Sequence, residues 1–114
     1  QREQRHIGGR KLLGDLLVER GIITPEALVR ILMRQFQERR LRAEGPYSLG
    51  EYLVISGAIS EDQLAGALLE QTRLRQVGRN EAIGAILVRT GLVDEATLQR
   101  AIATLDESAM YAMV

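Results

Sequence analysis

The chain has 114 residues, of which 46% are apolar and 26% are charged, a composition typical of one folded domain or one short repeat array. Fifteen basic and fifteen acidic residues leave a formal net charge of zero, so no overall field attracts nucleic acid, and we expect no DNA or RNA partner. The absence of cysteine excludes disulfides and thiolate catalysis. No apolar run reaches the roughly 18 residues that a membrane span needs.

The first residues carry no helical pattern of apolar side chains. We predict that residues 1–11 form a mobile linker. The chain opens on Gln1 without an initiating Met, and we expect it to be a fragment of a larger protein. No signal peptide is recognisable. We expect a cytoplasmic location, either alone or as the cytoplasmic domain of a membrane-associated protein.

The next segment, residues 12–35, has the pattern of two helices joined by a tight turn. Its first helix carries an apolar stripe and is followed by Gly21, which is placed as a helix stop. Thr24 then caps a second helix that has Pro25 at its first position. This second helix is expected to run on to about Glu44, before Gly45-Pro46. The side chains at helical spacing in the segment are Leu13, Leu16, Leu17, Leu28, Ile31, Leu32 and Gln35.

The same pattern occurs three times, and we call residues 12–35, 48–71 and 82–105 copies one, two and three. Corresponding positions are 36 and then 34 residues apart. We expect linkers at Phe36–Tyr47 and Thr72–Glu81, and a tail over 106–114 that extends the last helix and then frays. The predicted fold is all-α, an array of three helix-turn-helix repeats packed around a shared core. The predicted stops in copies two and three are Gly57 and Gly91, and the predicted caps are Ser60, with Gln63 completing a capping box, and Asp94.

Two recurring residue types are candidates for ligand contact. Gly14, Gly50 and Gly84 lie in or at the start of the first helix, where glycine costs up to about 1 kcal/mol relative to alanine. Such a repeated cost indicates the close approach of either another backbone or a ligand. Gln35 and Gln71 recur one turn beyond the second-helix apolar pair, as solvated flanking residues or as readers of a polar ligand edge.

No arrangement of residues indicates catalysis or metal binding. His6 is the only histidine, so neither a catalytic triad nor a histidine metal site is expected. The chain also lacks a phosphate-binding loop motif, since Lys11 is its only lysine and stands in another context. We expect a protein that is not an enzyme and needs no cofactor.

A cluster of arginines follows copy one. Arg39, Arg40 and Arg42 are interpreted either as a solvated helix face or as a contact for phosphate or an anionic partner. In the first interpretation, their charges are balanced by three glutamates, namely Glu38, Glu44 and Glu70.

The repeated string closely resembles the amino-terminal domain of type II secretion and type IV pilus assembly ATPases, the general-secretion-pathway E N-terminal family. The family motif reads Arg-Leu-Gly-x-x-aliphatic-aliphatic-x-x-Gly-x-aliphatic-x4-Leu-x3-Leu-x2-Gln, usually as a tandem pair. Copies one and two match it at every position but the first, and copy three also lacks the final Gln. The matching residues run from Leu13, Leu49 and Ile83 to Gln35, Gln71 and Ile102.

Family members of the MSHA-pilus ATPase type bind cyclic di-GMP, and the resemblance implies the same regulatory ligand here. The leading Arg of the motif is Leu12, Ser48 and Ala82 in the three copies, so Arg10, Lys11 or a linker arginine would have to replace it. Apolar side chains would form the platform for the guanines, and the two glutamines would read their edges. The implied ligand residues are Arg10, Leu13, Gly14, Leu17, Gln35, Leu49, Gly50, Leu53, Gln71 and Gly84.

The resemblance therefore implies a non-catalytic domain that binds cyclic di-GMP and regulates the rest of a larger chain. That attached machine would be a secretion or pilus ATPase, or a membrane glycosyltransferase that makes an exopolysaccharide. The alternative is a protein-interaction adaptor of the same fold that needs no nucleotide. In the adaptor, Arg39, Arg40 and Arg42 would contact the partner.

Overall fold

A computed structural model describes the backbone of residues 14–113 and the side chains of residues 14–106. The predictions made for residues 1–11, including Arg10, and for Leu13 lie outside the described residues. The described part is all-helical and contains no strand, which confirms that the fold is all-α. Its helices are α1 (described over 14–19), α2 (Pro25–Leu41), α3 (Leu49–Ile55), α4 (Glu61–Gln76), α5 (Ile83–Arg89) and α6 (Glu95–Met113).

Each short helix ends at a glycine in the left-handed backbone region. The φ angles of Gly21, Gly57 and Gly91 are +73°, +85° and +79°, which only glycine adopts without cost. The amide after each glycine donates back into the helix, as Ala58 does to the Leu53 carbonyl over 2.9 Å. This arrangement satisfies carbonyls that the helix end would leave unpaired, and it confirms the three predicted helix stops.

The long helices begin at the predicted capping residues. The Thr24 hydroxyl accepts a hydrogen bond from the Ala27 amide, and Ser60 forms a complete capping box with Gln63. The Thr97 amide donates to Asp94 Oδ1 over 2.7 Å. Hydrogen bonds from the Thr97 hydroxyl and amide hold the pKa of the Asp94 carboxyl below its ordinary value. The caps therefore supply partners for amides that the first turn leaves free.

Helix α5 begins without a side-chain cap, unlike the other short helix whose start the structure describes, α3. Ala82 occupies the N-cap position with extended φ and ψ of −66° and 149°, close to the −72° and 169° of Ser48, which forms a capping box at the start of α3. We expect Ala82→Ser to raise the free energy of unfolding by about 1 kcal/mol, because the hydroxyl reaches a free amide. Urea unfolding measures the change, and Ser48→Ala should lower stability by a similar amount. An unchanged midpoint in Ala82→Ser would contradict this expectation.

The predicted linkers begin too early in the chain. Phe36 lies within α2 and Thr72 within α4, and both side chains are buried, with 1% and 2% exposure. Tertiary packing thus extends both helices beyond the repeated string. The α2 helix ends at Leu41 rather than at Glu44, while α6 includes residues 106–113 and so gives the predicted helical extension of the last copy.

Helices α2 and α4 pack against each other in antiparallel orientation. Gln37 and Arg40, near the end of α2, contact Glu61 at the start of α4. At the opposite ends, Arg73 of α4 pairs with Glu26 of α2. The apolar cluster that α2 and α4 share with α3, α5 and α6 comprises Val29, Met33, Phe36, Leu53, Val54, Ile59, Leu64, Ala67, Ile86, Leu87, Val93, Leu98 and Ala101.

Copies two and three contact each other reciprocally. Helix α4 of copy two packs on α5 of copy three, and α6 of copy three packs on α3 of copy two. Leu49 Cδ2 lies 3.4 Å from the Cβ position of Gly84, and Ile83 Cγ1 lies 3.9 Å from that of Gly50. Since Leu49 corresponds to Ile83 and Gly50 to Gly84, the two copies present the same surface to each other.

Candidate functional site

The recurring glycines make room for a leucine of the following helix. A Cβ on Gly14 would lie 3.2 Å from Leu28 Cδ1, and one on Gly84 would lie 3.0 Å from Leu98 Cδ1. At Gly50 the corresponding distance is only 2.6 Å, to Leu64. The neighbour that requires glycine is thus a leucine side chain within the same copy, instead of the backbone or ligand that the sequence suggested. Ligand contact at these glycines stays a prediction.

Most of the predicted ligand residues of copies two and three are buried or half-buried within the domain. Leu53 is 1% exposed and belongs to the apolar cluster, and Gly50 and Gly84 are also buried. Leu49 is half-buried against the same cluster. A ligand that contacted Leu53 would have to displace core side chains, because copies two and three close on each other there. Leu53 is therefore not accessible in this structure, and its contact with a ligand stays a prediction.

The two recurring glutamines differ in their surroundings. Gln71 Nε2 donates to the backbone carbonyl of Glu81 over 3.1 Å, in the linker before α5. Its amide therefore joins copy two to the start of copy three. Gln35 is exposed, and within the described residues its side chain has no hydrogen-bond partner. Of the pair, only Gln35 is available to a second molecule.

An open depression of about 340 Å³ lies beside Gln35 at the carboxyl end of α2. Arg42 contributes a linker guanidinium to it, while Glu38 and Glu44 contribute carboxylates. Arg39 also lines the depression, but it donates to both carboxylate oxygens of Glu51, over 3.2 and 2.5 Å. The hydrogen bond to Glu51 raises the pKa of the Arg39 guanidinium. Arg42 is therefore the cation that remains for an added anion.

The arginine cluster forms ion pairs between helices. Arg39 joins α2 to Glu51 of α3, and Arg40 joins it to Glu61 of α4 over 3.3 Å. Their balancing carboxylates are thus not the Glu38, Glu44 and Glu70 suggested by the sequence, and Glu70 pairs with Arg89 instead. Partner contact through these arginines is untested, but reversing the charge of Arg39 or Arg40 would also break contacts within the chain.

Sequence reasoning missed that α2 is apolar along two stripes. Its buried stripe comprises Val29, Met33 and Phe36, at i, i+4 and i+7, which is itself a helical pattern that the sequence displays. The predicted core stripe contains Ile31 and Leu32, which are 47% and 36% exposed. Leu16 and Ile22 of the same copy are 41% and 64% exposed, and these four exposed apolar residues are together called the copy-one face below.

The described residues contain no group of three or more His, Cys, Asp or Glu side chains that could hold a metal ion. None of their helices has the length and apolar character needed to cross a membrane. Comparison of the sequence with protein-family models, curated proteins and solved structures returned no match.

Proposed function

We propose that the chain is a non-catalytic regulatory module built from three equivalent helix pairs, and that copy one binds cyclic di-GMP. The equivalence is supported by the recurring turn glycines, capped second helices and leucine-filled glycine sites. The ligand is suggested by the resemblance of the repeated string to cyclic di-GMP-binding domains. Binding would act on an attached secretion or pilus ATPase, or on a membrane glycosyltransferase for exopolysaccharide, by its different affinity for two states of that machine.

The observation that carries the ligand proposal is the free Gln35 beside Arg42. Gln35, whose amide can read a guanine edge, and Arg42, whose guanidinium can bind phosphate, both line this depression. Arg42 belongs to the linker after copy one, so it is a candidate replacement for the missing motif arginine. Leu17 is half-buried and does not line this depression, so its contact with a base rests on the resemblance alone.

Isothermal titration with cyclic di-GMP tests this proposal directly. We expect saturable binding in the micromolar range, corresponding to roughly 8 kcal/mol of binding free energy. Gln35→Ala and Arg42→Ala should each weaken binding by about tenfold or more, because each removes one polar contact, worth roughly 1.5–3 kcal/mol where a charge is involved.

The matched controls are Gln76→Ala and Arg79→Ala, which make the same changes at exposed positions outside the depression. Both controls should bind like the parent chain. Absence of binding at millimolar ligand would refute the nucleotide proposal. Binding that is insensitive to Gln35 and Arg42 would place the ligand elsewhere on the chain.

The copy-one face favours the second candidate, a protein-interaction adaptor. Its four large apolar side chains are each at least 36% exposed, and exposed apolar surface is a common property of docking sites. In the adaptor, the apolar side chains supply the docking contact that the sequence assigned to the arginines. Substitutions at Ile31 should then weaken assembly, whereas nucleotide should have no effect on it.

A further inference from the structure

Copy two uses two different surfaces to contact its neighbours. Glu61 and Arg73 of α4 both contact α2. Ala65, Leu69 and Thr72 lie on α4 along the line between those two residues, at spacings of four, four and three. This stripe faces copy one. The other surface faces copy three, through the reciprocal contacts of Leu49, Gly50, Ile83 and Gly84 described above.

Copies one and three are the two ends of the array and therefore each leave one of these surfaces unused. In copy three the unused positions are Gln99, Ala103 and Asp106, which correspond to Ala65, Leu69 and Thr72. All three are exposed, and two are polar. A polar outer surface on a terminal repeat prevents further stacking. The copy-three end of the array is therefore closed.

The unused surface of copy one is apolar. Ile31 is 47% exposed, whereas its equivalents Ala67 and Ala101 are 5% and 4% exposed. Leu16 is 41% exposed, and its equivalent Ile86 is completely buried. In copies two and three these positions lie on helices that pack against the other copy, and Tyr52, the copy-two equivalent of Leu16, is half-buried. Copy one thus presents the surface through which the other two copies pair, and no other described part of the chain is paired to it.

We infer that the copy-one face binds the copy-one face of a second, identical chain, in a two-fold dimer. This inference rests on the equivalence of the three helix pairs proposed above. Copies two and three already show that the surface is self-complementary. The contact of Leu49 with Gly84 is matched by the equivalent contact of Ile83 with Gly50. Self-complementary surfaces give closed two-fold dimers, the commonest oligomers. The zero formal net charge of the chain adds no overall repulsion between the two copies.

Sedimentation equilibrium of the full chain without nucleotide tests the inference, so its outcome does not depend on cyclic di-GMP binding. We expect a monomer–dimer equilibrium within the micromolar range. Ile31→Asp should raise the dimer dissociation constant by at least about tenfold, because it places a charge at the centre of an apolar interface. Leu41→Asp makes the same kind of change on the same helix, at a side chain that is 89% exposed, and should leave the equilibrium unchanged.

Leu16→Asp gives an independent second test from α1, and far-ultraviolet circular dichroism checks that each variant remains helical. Dissociation in both folded variants, but not in Leu41→Asp, would support the inference. A chain that stays monomeric up to submillimolar concentration would overturn it, including the case in which another protein occupies the face. A dimer that survives both substitutions would overturn it as well.

Discussion

Gly50→Ala should lower the free energy of unfolding by about 1–2 kcal/mol, although alanine is the better helix former by up to about 1 kcal/mol. The new Cβ would lie 2.6 Å from Leu64 Cδ1, which is well inside contact distance. Leu64 is 2% exposed and cannot move toward solvent without disturbing the core. Overpacking of this kind typically costs about 1–3 kcal/mol. The steric cost therefore exceeds the gain in helix propensity.

Gly66 is the matched control because it is also a helical glycine, in α4, but nothing lies within 4 Å of the Cβ that alanine would add. Gly66→Ala should raise stability by up to about 1 kcal/mol, since only the propensity gain remains. Urea unfolding of both variants gives the two free energies, and we expect opposite signs. Stabilisation by Gly50→Ala would contradict the packing explanation of the recurring glycines.

The expected cost at Gly50 also affects how ligand binding can be tested. A large residue at Gly14 or Gly50 would disturb the leucine that fills the site, so loss of binding in such a variant would not identify a ligand contact. Gln35 and Arg42 are exposed and are better suited to that purpose. Their substitution removes polar groups without changing a core contact.

The turns and caps were predictable from sequence because their causes are local. Gly57 ends α3 through its own φ angle, and Ser60 caps α4 through a residue three positions away. The end of α4 was placed before Thr72, which is too early, because burial of Thr72 against another helix extends α4 to Gln76. A second apolar stripe on α2 was visible in the sequence, but choosing which stripe faces the core requires knowing its neighbour.

The candidate site illustrates the same division between local and tertiary causes. Gln35 and Gln71 occupy one motif position, and the sequence gives them the same expected role. Gln71 binds the Glu81 carbonyl because the chain returns beside it to begin copy three. Gln35 is exposed and has no hydrogen-bond partner within the described residues, so its amide remains available. Whether a repeated residue serves packing or recognition thus depends on its place in the array.

Phe36→Ala should destabilise the domain by about 3–5 kcal/mol, the usual cost of removing a buried aromatic ring. Phe36 is 1% exposed and belongs to the cluster that joins α2 to the other helices. Its ring also packs edge-to-face on Tyr47, with centroids 6.2 Å apart and planes at 86°. The guanidinium of Arg40 lies 5.9 Å from the ring centroid. Few residues connect copy one to the rest of the array so directly.

The matched control is Leu41→Ala, five residues further along α2, where the side chain is 89% exposed. Its expected effect is within about 0.5 kcal/mol, as for most surface substitutions. Urea unfolding followed by circular dichroism compares the two variants. A loss of less than about 1 kcal/mol in Phe36→Ala would contradict the packing of α2 on α4. A separate early transition in that variant would instead indicate that α2 detaches first. Copies two and three would then unfold later, because they remain packed on each other.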